Sequence, residues 1–398
     1  MMRSIYMDHS ATTPLSEAAL SAMLPFMREQ FGNPSAVYSY GQTAKNAVEK
    51  SRDRVARAIG ALRTEIFFTS GGTESDNWVI RSVARMKKRG HIITSAIEHN
   101  AVLRTLAQLE ADGFDVTYLS PDNNGHISPE QLENAIHPDT ILVTIMLANN
   151  VVGTILDIKS LAAVARKHRV PFHTDAVQAV GHIPINVRSL GVDFLSLSAH
   201  KFCGPKGVGA VFCRMPNKLE PLLTGGGQEK ELRSGTENVP GIVGMAEALT
   251  EVTNVLDTSV PRLYGLGDRL ITGVTAIPGI VLTGDPENRL PGFCSFVVRG
   301  ISHSVLLVNA LNELGFCVSS GSACSASSRE ASHVLLALGY EKSEATASLR
   351  VTLGIENTEA EVDGAVEAIK ACVGRLRTEC DTRAQAAPRS KSFRAPRS

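Results

Sequence analysis

The stretch Ser198-Ala199-His200-Lys201-Phe202-Cys203-Gly204-Pro205-Lys206-Gly207 decides how this chain reads. It follows Val192-Asp193-Phe194-Leu195-Ser196-Leu197, an apolar run that predicts a short buried strand, and its glycines mark the end of regular structure. Lys201 therefore falls at a strand end, flanked by Ser, His and small residues. An amine held there, out of bulk water, loses proton affinity and becomes a nucleophile able to form a Schiff base. Most lysines are solvated loop residues, so this reading depends on what the rest of the chain supplies.

At 398 residues the chain exceeds the roughly 250–300 at which one core stops growing, which predicts two lobes. The composition, 43% hydrophobic and 20% charged, is that of a globular protein. Lys+Arg and Asp+Glu are both 40, so the net charge gives no general case for nucleic acid or an anionic membrane as partner. No apolar run approaches the roughly 20 residues of a membrane span, and the amino terminus lacks a signal-peptide core, which predicts a cytoplasmic protein. The seven cysteines are spread widely without a Cys-x-x-Cys pair. That spacing argues against a disulfide framework and a resident metal site, leaving buried thiols or a reactive one.

Along the chain, Ile66-Phe67-Phe68-Thr69 reads as a strand, then Ser70-Gly71-Gly72-Thr73-Glu74-Ser75 as a glycine turn opening a helix. That arrangement offers free N–H groups and a positive dipole end to a phosphate. Further strands are expected at His91–Thr94, Phe114–Leu119, Thr140–Leu147 and Val170–Asp175, alternating with helices such as Gln42–Gly60 and Ile158–His168. Apolar strands alternating with helices predict a mainly parallel sheet covered on both faces. Thr73, His99, Asn150, Asp175, Gln178, His200 and Lys201 all fall at strand carboxyl ends, the edge where open α/β sheets bind ligands. A helix from Pro240 to Val255 leads to a second lobe expected from Pro261, with a strand at Phe293–Val298 and helices at Ser304–Leu314 and Glu359–Leu376. From Asp381 the tail holds five basic residues and one acid among Ser, Ala and Pro, and reads as disordered.

A lysine, an aspartate, a histidine and a phosphate-binding turn together suggest pyridoxal 5'-phosphate: the lysine carries the aldehyde, the aspartate keeps the ring nitrogen protonated, and His99 stacks on the ring or moves a proton. The sequence resembles the cysteine desulfurases of NifS/IscS type, members of the class V aminotransferase group of fold-type I enzymes. The resemblance covers roughly residues 4 to 372. It rests on Tyr6-Met7-Asp8-His9-Ser10-Ala11-Thr12-Thr13-Pro14, Thr69-Ser70-Gly71-Gly72-Thr73-Glu74-Ser75-Asp76-Asn77, Glu98-His99, Thr174-Asp175-Ala176-Val177-Gln178, Ser198-Ala199-His200-Lys201, Arg233-Ser234-Gly235-Thr236 and Ser319-Ser320-Gly321-Ser322-Ala323-Cys324.

The resemblance implies an α/β fold with a seven-stranded, mainly parallel sheet in a large domain (residues 15–260). A smaller α+β domain (1–14 and 261–380) would carry a cysteine loop at about 319–333, with 381–398 as a disordered basic tail. It implies Lys201 as the cofactor lysine and His99 as the ring-stacking acid/base group. Asp175 would pair with the pyridine nitrogen, Gln178 with the ring hydroxyl, and Gly72, Thr73, Ser198 and His200 with the phosphate. Thr236 would reach the phosphate from the partner subunit of a homodimer, and Asn150 and Arg350 would grip the substrate carboxylate. Cys324 lies in a Ser/Gly/Ala stretch that no core would choose. As a thiolate it would take the sulfur of L-cysteine as a persulfide, touch a cluster at most transiently, and deliver to an acceptor such as an iron–sulfur scaffold. The alternatives are a selenocysteine lyase or a cysteine-sulfinate-type β-lyase and, from a different class, a cofactor-free binding protein on the same fold. The second would be marked by loss of Lys201 or Asp175, and both are present.

Overall fold

The apolar run ahead of Lys201 is a strand, Phe194–Ser198, and a single 3-10 turn, Ala199–Lys201, follows it. The structure is a computed structural model describing residues 4–214, 219–321 and 331–386. Cys324 and the chain beyond 386 lie outside the described residues.

In chain order the strands are β1 (Ile5–Tyr6), β2 (Ile66–Thr69), β3 (His91–Ser95), β4 (Asp115–Leu119), β5 (Thr140–Thr144), β6 (Phe172–Asp175), β7 (Phe194–Ser198), β8 (Gly209–Cys213), β9 (Ile280–Leu282), β10 (Phe293–Val298), β11 (Phe316–Cys317) and β12 (Ser348–Thr352). Seven of them form one sheet in the order β2-β8-β7-β6-β5-β3-β4. The pairs from β7 to β4 are parallel, while β8 runs antiparallel to both β7 and β2.

Alternation along a strand sends successive side chains to opposite faces, and here both faces are covered. Phe67, Phe194 and Val211 pack with Trp78, Ile80 and Val102 from helices Gly72–Lys87 and Asn100–Ala111. Ile66, Phe68, Leu195, Leu197 and Phe212 point the other way, onto Val48, Leu161 and Met245 of helices Ser39–Ala58, Ile158–Lys167 and Val239–Asn254. Edge strand β4 is the exception, with Asp115 and Tyr118 exposed.

A separate core gathers Met7 with apolar residues from Leu263 to Leu376 around the antiparallel sheet β12-β10-β9 and the parallel pair β1-β11. Met7 reaches it because β1 pairs with β11, placing the amino-terminal segment beside residues more than 300 positions away. A further apolar cluster joins Ile97, Val151 and Val152 to Val297, Val334 and Leu335.

Two expectations need correction, and one strand went unread. Gly204 and Gly207 do fall outside helix and strand, but strand β8 resumes at Gly209, where a Cβ would lie 2.5 Å from Leu197 O and 2.7 Å from Gly71 Cα. Glycine there permits close approach of backbones rather than stopping the strand. Pro261, where the second lobe was expected to begin, does not break the chain but sits inside a helix, Leu256–Thr275, that follows Val239–Asn254 directly. The last helix runs from Glu359 to Ala386, so residues 381–386 are helical and not part of a disordered tail. Averaging the whole tail hid Ala384, Gln385 and Ala386, which favour helix, behind the Pro and Ser beyond them.

Candidate active site

A cavity of about 950 Å³ opens at the carboxyl edge of the large sheet, lined from the ends of β6 and β7, the glycine turn after β2, the turn after β5, and β12. It brings together Gly72, Thr73, His99, Asn150, Asp175, Gln178, Ser198, His200, Lys201 and Arg350. One expected residue lies outside this cavity. Thr236 lines a different cavity of about 200 Å³, with Thr69, Ser70 and Arg233. Cys324 lies outside the described residues.

Local structure explains each placement. Ser198 closes β7, and the 3-10 turn after it swings Lys201 back toward the amino-terminal segment, where Nζ donates to the carbonyls of Ser10 and, at 3.0 Å, Ala11. That segment is laced to the same turn: Thr13 N and Oγ1 donate to His200 O at 2.9 and 3.0 Å, and Cys203 N donates to Thr13 Oγ1 at 2.7 Å. Gln178 Nε2 donates to Ser10 O at 2.8 Å, so Lys201 and Gln178 share one carbonyl. His99 caps helix Asn100–Ala111, its Nδ1 accepting from Ala101 N at 3.1 Å; the neutral ring therefore carries its proton on Nε2. Asn149, fully buried, accepts Val151 N and Val152 N and so folds the turn that puts Asn150 at the cavity wall.

The glycine turn is built for an anion. Helix Gly72–Lys87 starts at Gly71, which has φ 150° and no side chain capping the first turn. A Cβ at Gly71 would lie 3.5 Å from Ser198 Oγ. The first-turn N–H groups and the hydroxyls of Thr73 and Ser198 thus border one concavity beside His200. Burial, then the cations Lys201 and Lys206, push His200 down to about 4.

Opposite charge is concentrated on the floor. Asp175 Oδ1 accepts Val177 N at 2.9 Å, and burial pushes its carboxyl up although His99 and Lys201 oppose the shift. Asp76 is fully buried, with Oδ1 lacking a hydrogen-bond partner, and burial followed by Asp175 pushes it well up. Glu98 accepts from Ser95 Oγ and, at 3.0 Å, from Met146 N; burial pushes it up to about 8. Buried carboxyls near one another favour the neutral acid, and a cationic ring edge arriving beside Asp175 would draw it back to the charged form. On the opposite wall Arg350, 1% exposed, leaves Nε buried without a partner. Aldehyde, phosphate, ring-nitrogen and carboxylate positions are all matched by residues present, so the site fits pyridoxal phosphate and an amino-acid substrate.

Glu98 supports a test in the protein without ligand. Between about pH 4.5 and 8 the folded chain keeps a proton that the unfolded chain has released, so stability falls as pH rises, by ~1.4 kcal/mol per unit for one proton. Fully buried His173, pushed down to about 3 by burial, acts in the opposite sense below about pH 6.5. Glu98→Gln is expected to flatten the fall in denaturant midpoint between pH 6.5 and 8, and an unchanged slope would contradict the burial argument.

Sequence reasoning assigned no role to Asp8, Ser10, Ala11, Asp76, Glu98 or His333. Four of them line the cavity, Asp8 holds Arg350, and Glu98 lies behind the wall, where its carbonyl accepts from His333 Nε2. The polar run Asp8-His9-Ser10-Ala11-Thr12-Thr13 was the available signal.

The fold and this pocket define a class V aminotransferase, and the family described as Aminotransferase class-V matches residues 5–364. A "Cysteine desulfurase IscS" of Methanosarcina thermophila is 49% identical over 377 residues, covering 94% of this chain and 93% of that protein. The solved structure "NIFS-LIKE PROTEIN" superposes with a TM-score of 0.88 at 39% identity, covering 94% of this chain and 100% of that one. Another, "SspA in complex with cysteine", gives 0.78 at 36% identity, covering 89% and 99%. The chain belongs to the cysteine desulfurases, pyridoxal-phosphate enzymes of the class V aminotransferase family.

Proposed function

We propose that this chain takes the sulfur from L-cysteine, leaving L-alanine, and holds it as a persulfide on Cys324 for delivery to an acceptor protein such as an iron–sulfur scaffold. What carries the reading is the convergence, in one cavity, of Lys201, Asp175, His99, Asn150 and Arg350, in a chain 49% identical to a cysteine desulfurase.

Lys201 would hold the cofactor aldehyde, Asp175 the ring nitrogen, Gln178 the ring hydroxyl, and the uncapped helix start with Gly72, Thr73, Ser198 and His200 the phosphate. When bound, pyridoxal phosphate draws electrons from the substrate α-carbon through its protonated ring nitrogen. An arriving phosphate dianion would raise the proton affinity of His200, which is otherwise neutral. Arg350 and Asn150 would orient the substrate carboxylate, and His99, whose neutral ring carries its proton on Nε2, would stack on the cofactor ring and move protons. The Cys324 thiolate attacks the substrate sulfur: an S–S bond forms, the C–S bond breaks, and its electron pair stays on the carbon skeleton, which gains a proton and leaves as alanine.

A homodimer accounts for Thr236. In its own chain it sits behind the glycine turn rather than in the cavity, as a residue serving a partner's phosphate would. Exposed Leu24, Met27, Phe31, Val37, Tyr38 and Tyr40 offer an apolar face for a second copy. The two principal cores support a division into residues 15–260 and 1–14 with 261–380. No helix among the described residues is long and apolar enough to cross a membrane, consistent with a cytoplasmic enzyme.

Cys324→Ala is expected to reduce release of sulfide and alanine from L-cysteine to background while the visible absorption of the bound cofactor persists. The wild-type peptide containing Cys324 gains the mass of one sulfur after exposure to L-cysteine. Full activity in the variant would overturn the persulfide step.

A further inference from the structure

Arg350 is tied down before any substrate arrives. Nη1 donates to Asn150 O at 2.7 Å and Nη2 to Asp8 Oδ1 at 2.9 Å, while Nε is buried without a partner. A guanidinium 1% exposed requires a counter-charge, and Asp8 forms its ion pair among the described residues. The pairing is built into the fold: Asp8 bridges to Thr352 on β12, and Ser10 N donates to Thr352 Oγ1 at 2.9 Å, which pins the segment alongside Arg350.

We propose that Asp8 is a positioning residue acting as the resident counter-ion of Arg350, occupying part of the guanidinium fork and thereby weakening its hold on substrate and product carboxylates. This rests on the reading of Arg350 as the group that grips the substrate carboxylate. A carboxylate arriving at Arg350 meets a cation whose charge is already balanced, and it meets Asp8 on the same guanidinium. It therefore gains less than it would from an unpaired arginine. The benefit is turnover: the product keeps the substrate's carboxylate, so a full-strength clamp would hold both.

The crowding also has a protonic consequence. The groups facing Asp8 are Arg350 on β12, Lys201 in the turn after β7, and Tyr6 and His9 on its own segment. Burial pushes the Asp8 carboxyl up, and Arg350, Lys201 and His9 pull it back. A second anion on Arg350 cancels part of that pull, so Asp8 takes up a fraction of a proton as the ligand binds.

The test uses propionate, the carbon skeleton of alanine without its amine, binding to the cofactor-loaded protein. Asp8→Asn keeps an oxygen for Nη2 but no charge, and it is expected to bind propionate about tenfold tighter, the size of one neighbouring-charge effect. Calorimetry in two buffers of different ionisation enthalpy should show proton uptake in the wild type and none in the variant. A purely structural Asp8 predicts unchanged or weaker binding in Asp8→Asn, and either result overturns the proposal. Arg350→Gln separates the two readings. Undiminished propionate binding there removes the role of Arg350, whereas weakened binding there without tightening in Asp8→Asn removes the role of Asp8 alone. Should Asp8→Asn not fold, absence of proton uptake in the wild type is sufficient to overturn it.

Discussion

Lys201→Ala is expected to abolish turnover, by more than about 10⁴-fold, the upper end of what a single positioned proton-transfer group supplies. Lys201 does more than move a proton. In the proposed reading it is the amine that holds the cofactor aldehyde, and it lies on a turn whose position is fixed by Thr13, His200 and Cys203 rather than by its own side chain. The backbone should therefore survive the substitution. What changes is that the carbonyls of Ser10 and Ala11 lose a charged donor, a modest cost because Gln178 Nε2 still donates to Ser10 O. The variant should be folded and inactive, and it should fail to trap the cofactor: borohydride treatment of the wild type leaves the cofactor mass on the peptide containing Lys201, and treatment of the variant leaves none. Activity above one part in about 10² would show that another amine substitutes for Lys201.

What could be read from the sequence was chemistry that lies where a local pattern ends. Asp175 and Ser198 close β6 and β7, His99 caps the helix after β3, and Thr73 opens the helix after β2. Each is found by locating a strand end, and strand ends follow from apolar runs. The contacts that hold the site in place carry no such local mark. Arg350 meets Asp8 across 342 positions, and Lys201 meets Ser10 across 191. Strand β8 was hidden because Gly209 looks like a break until its neighbour Gly71 is placed beside it. Glu98 and Asp76 look like ordinary surface acids in sequence, and only the packed helices reveal them as buried. Propensity identified the elements; the long-range pairings depend on sheet order and domain packing, which propensity does not encode.

Glu229→Ala is expected to lower stability by about 3–5 kcal/mol, the cost of stripping one partner from a buried ion pair. Glu229 meets Arg52 through two bonds of 2.7 Å, with the side chains only 3% and 7% exposed. It also accepts Phe68 N at 2.9 Å, while Arg52 Nη1 donates to Ile66 O at 2.9 Å and its guanidinium lies 4.6 Å from the centre of the Phe68 ring. Removing the carboxylate leaves a buried cation over an aromatic ring and an unmet N–H on β2. Against a typical total of roughly 5–15 kcal/mol, that loss is large. The pair also restrains backbone: Glu229, Lys230 and Glu231 all have left-handed φ, 47°, 59° and 68°, a conformation that L residues adopt at a cost and keep only where the surroundings impose it. With the anchor gone, the strained turn has reason to relax, and the loop through Arg233, which meets Glu74 at 2.8 Å in the first turn of helix Gly72–Lys87, proposed above to hold the phosphate, and on to Thr236 goes with it. The expected result is therefore a lower denaturant midpoint together with weaker cofactor retention. Replacing both residues, Arg52→Met with Glu229→Met, should recover much of the stability because no buried charge remains. It should not recover cofactor retention, since an apolar pair places no hydrogen bond on Phe68 N and gives the turn no directional anchor. A Glu229→Ala protein within about 1 kcal/mol of wild type would mean the pair is solvated in solution and the turn is held by other contacts.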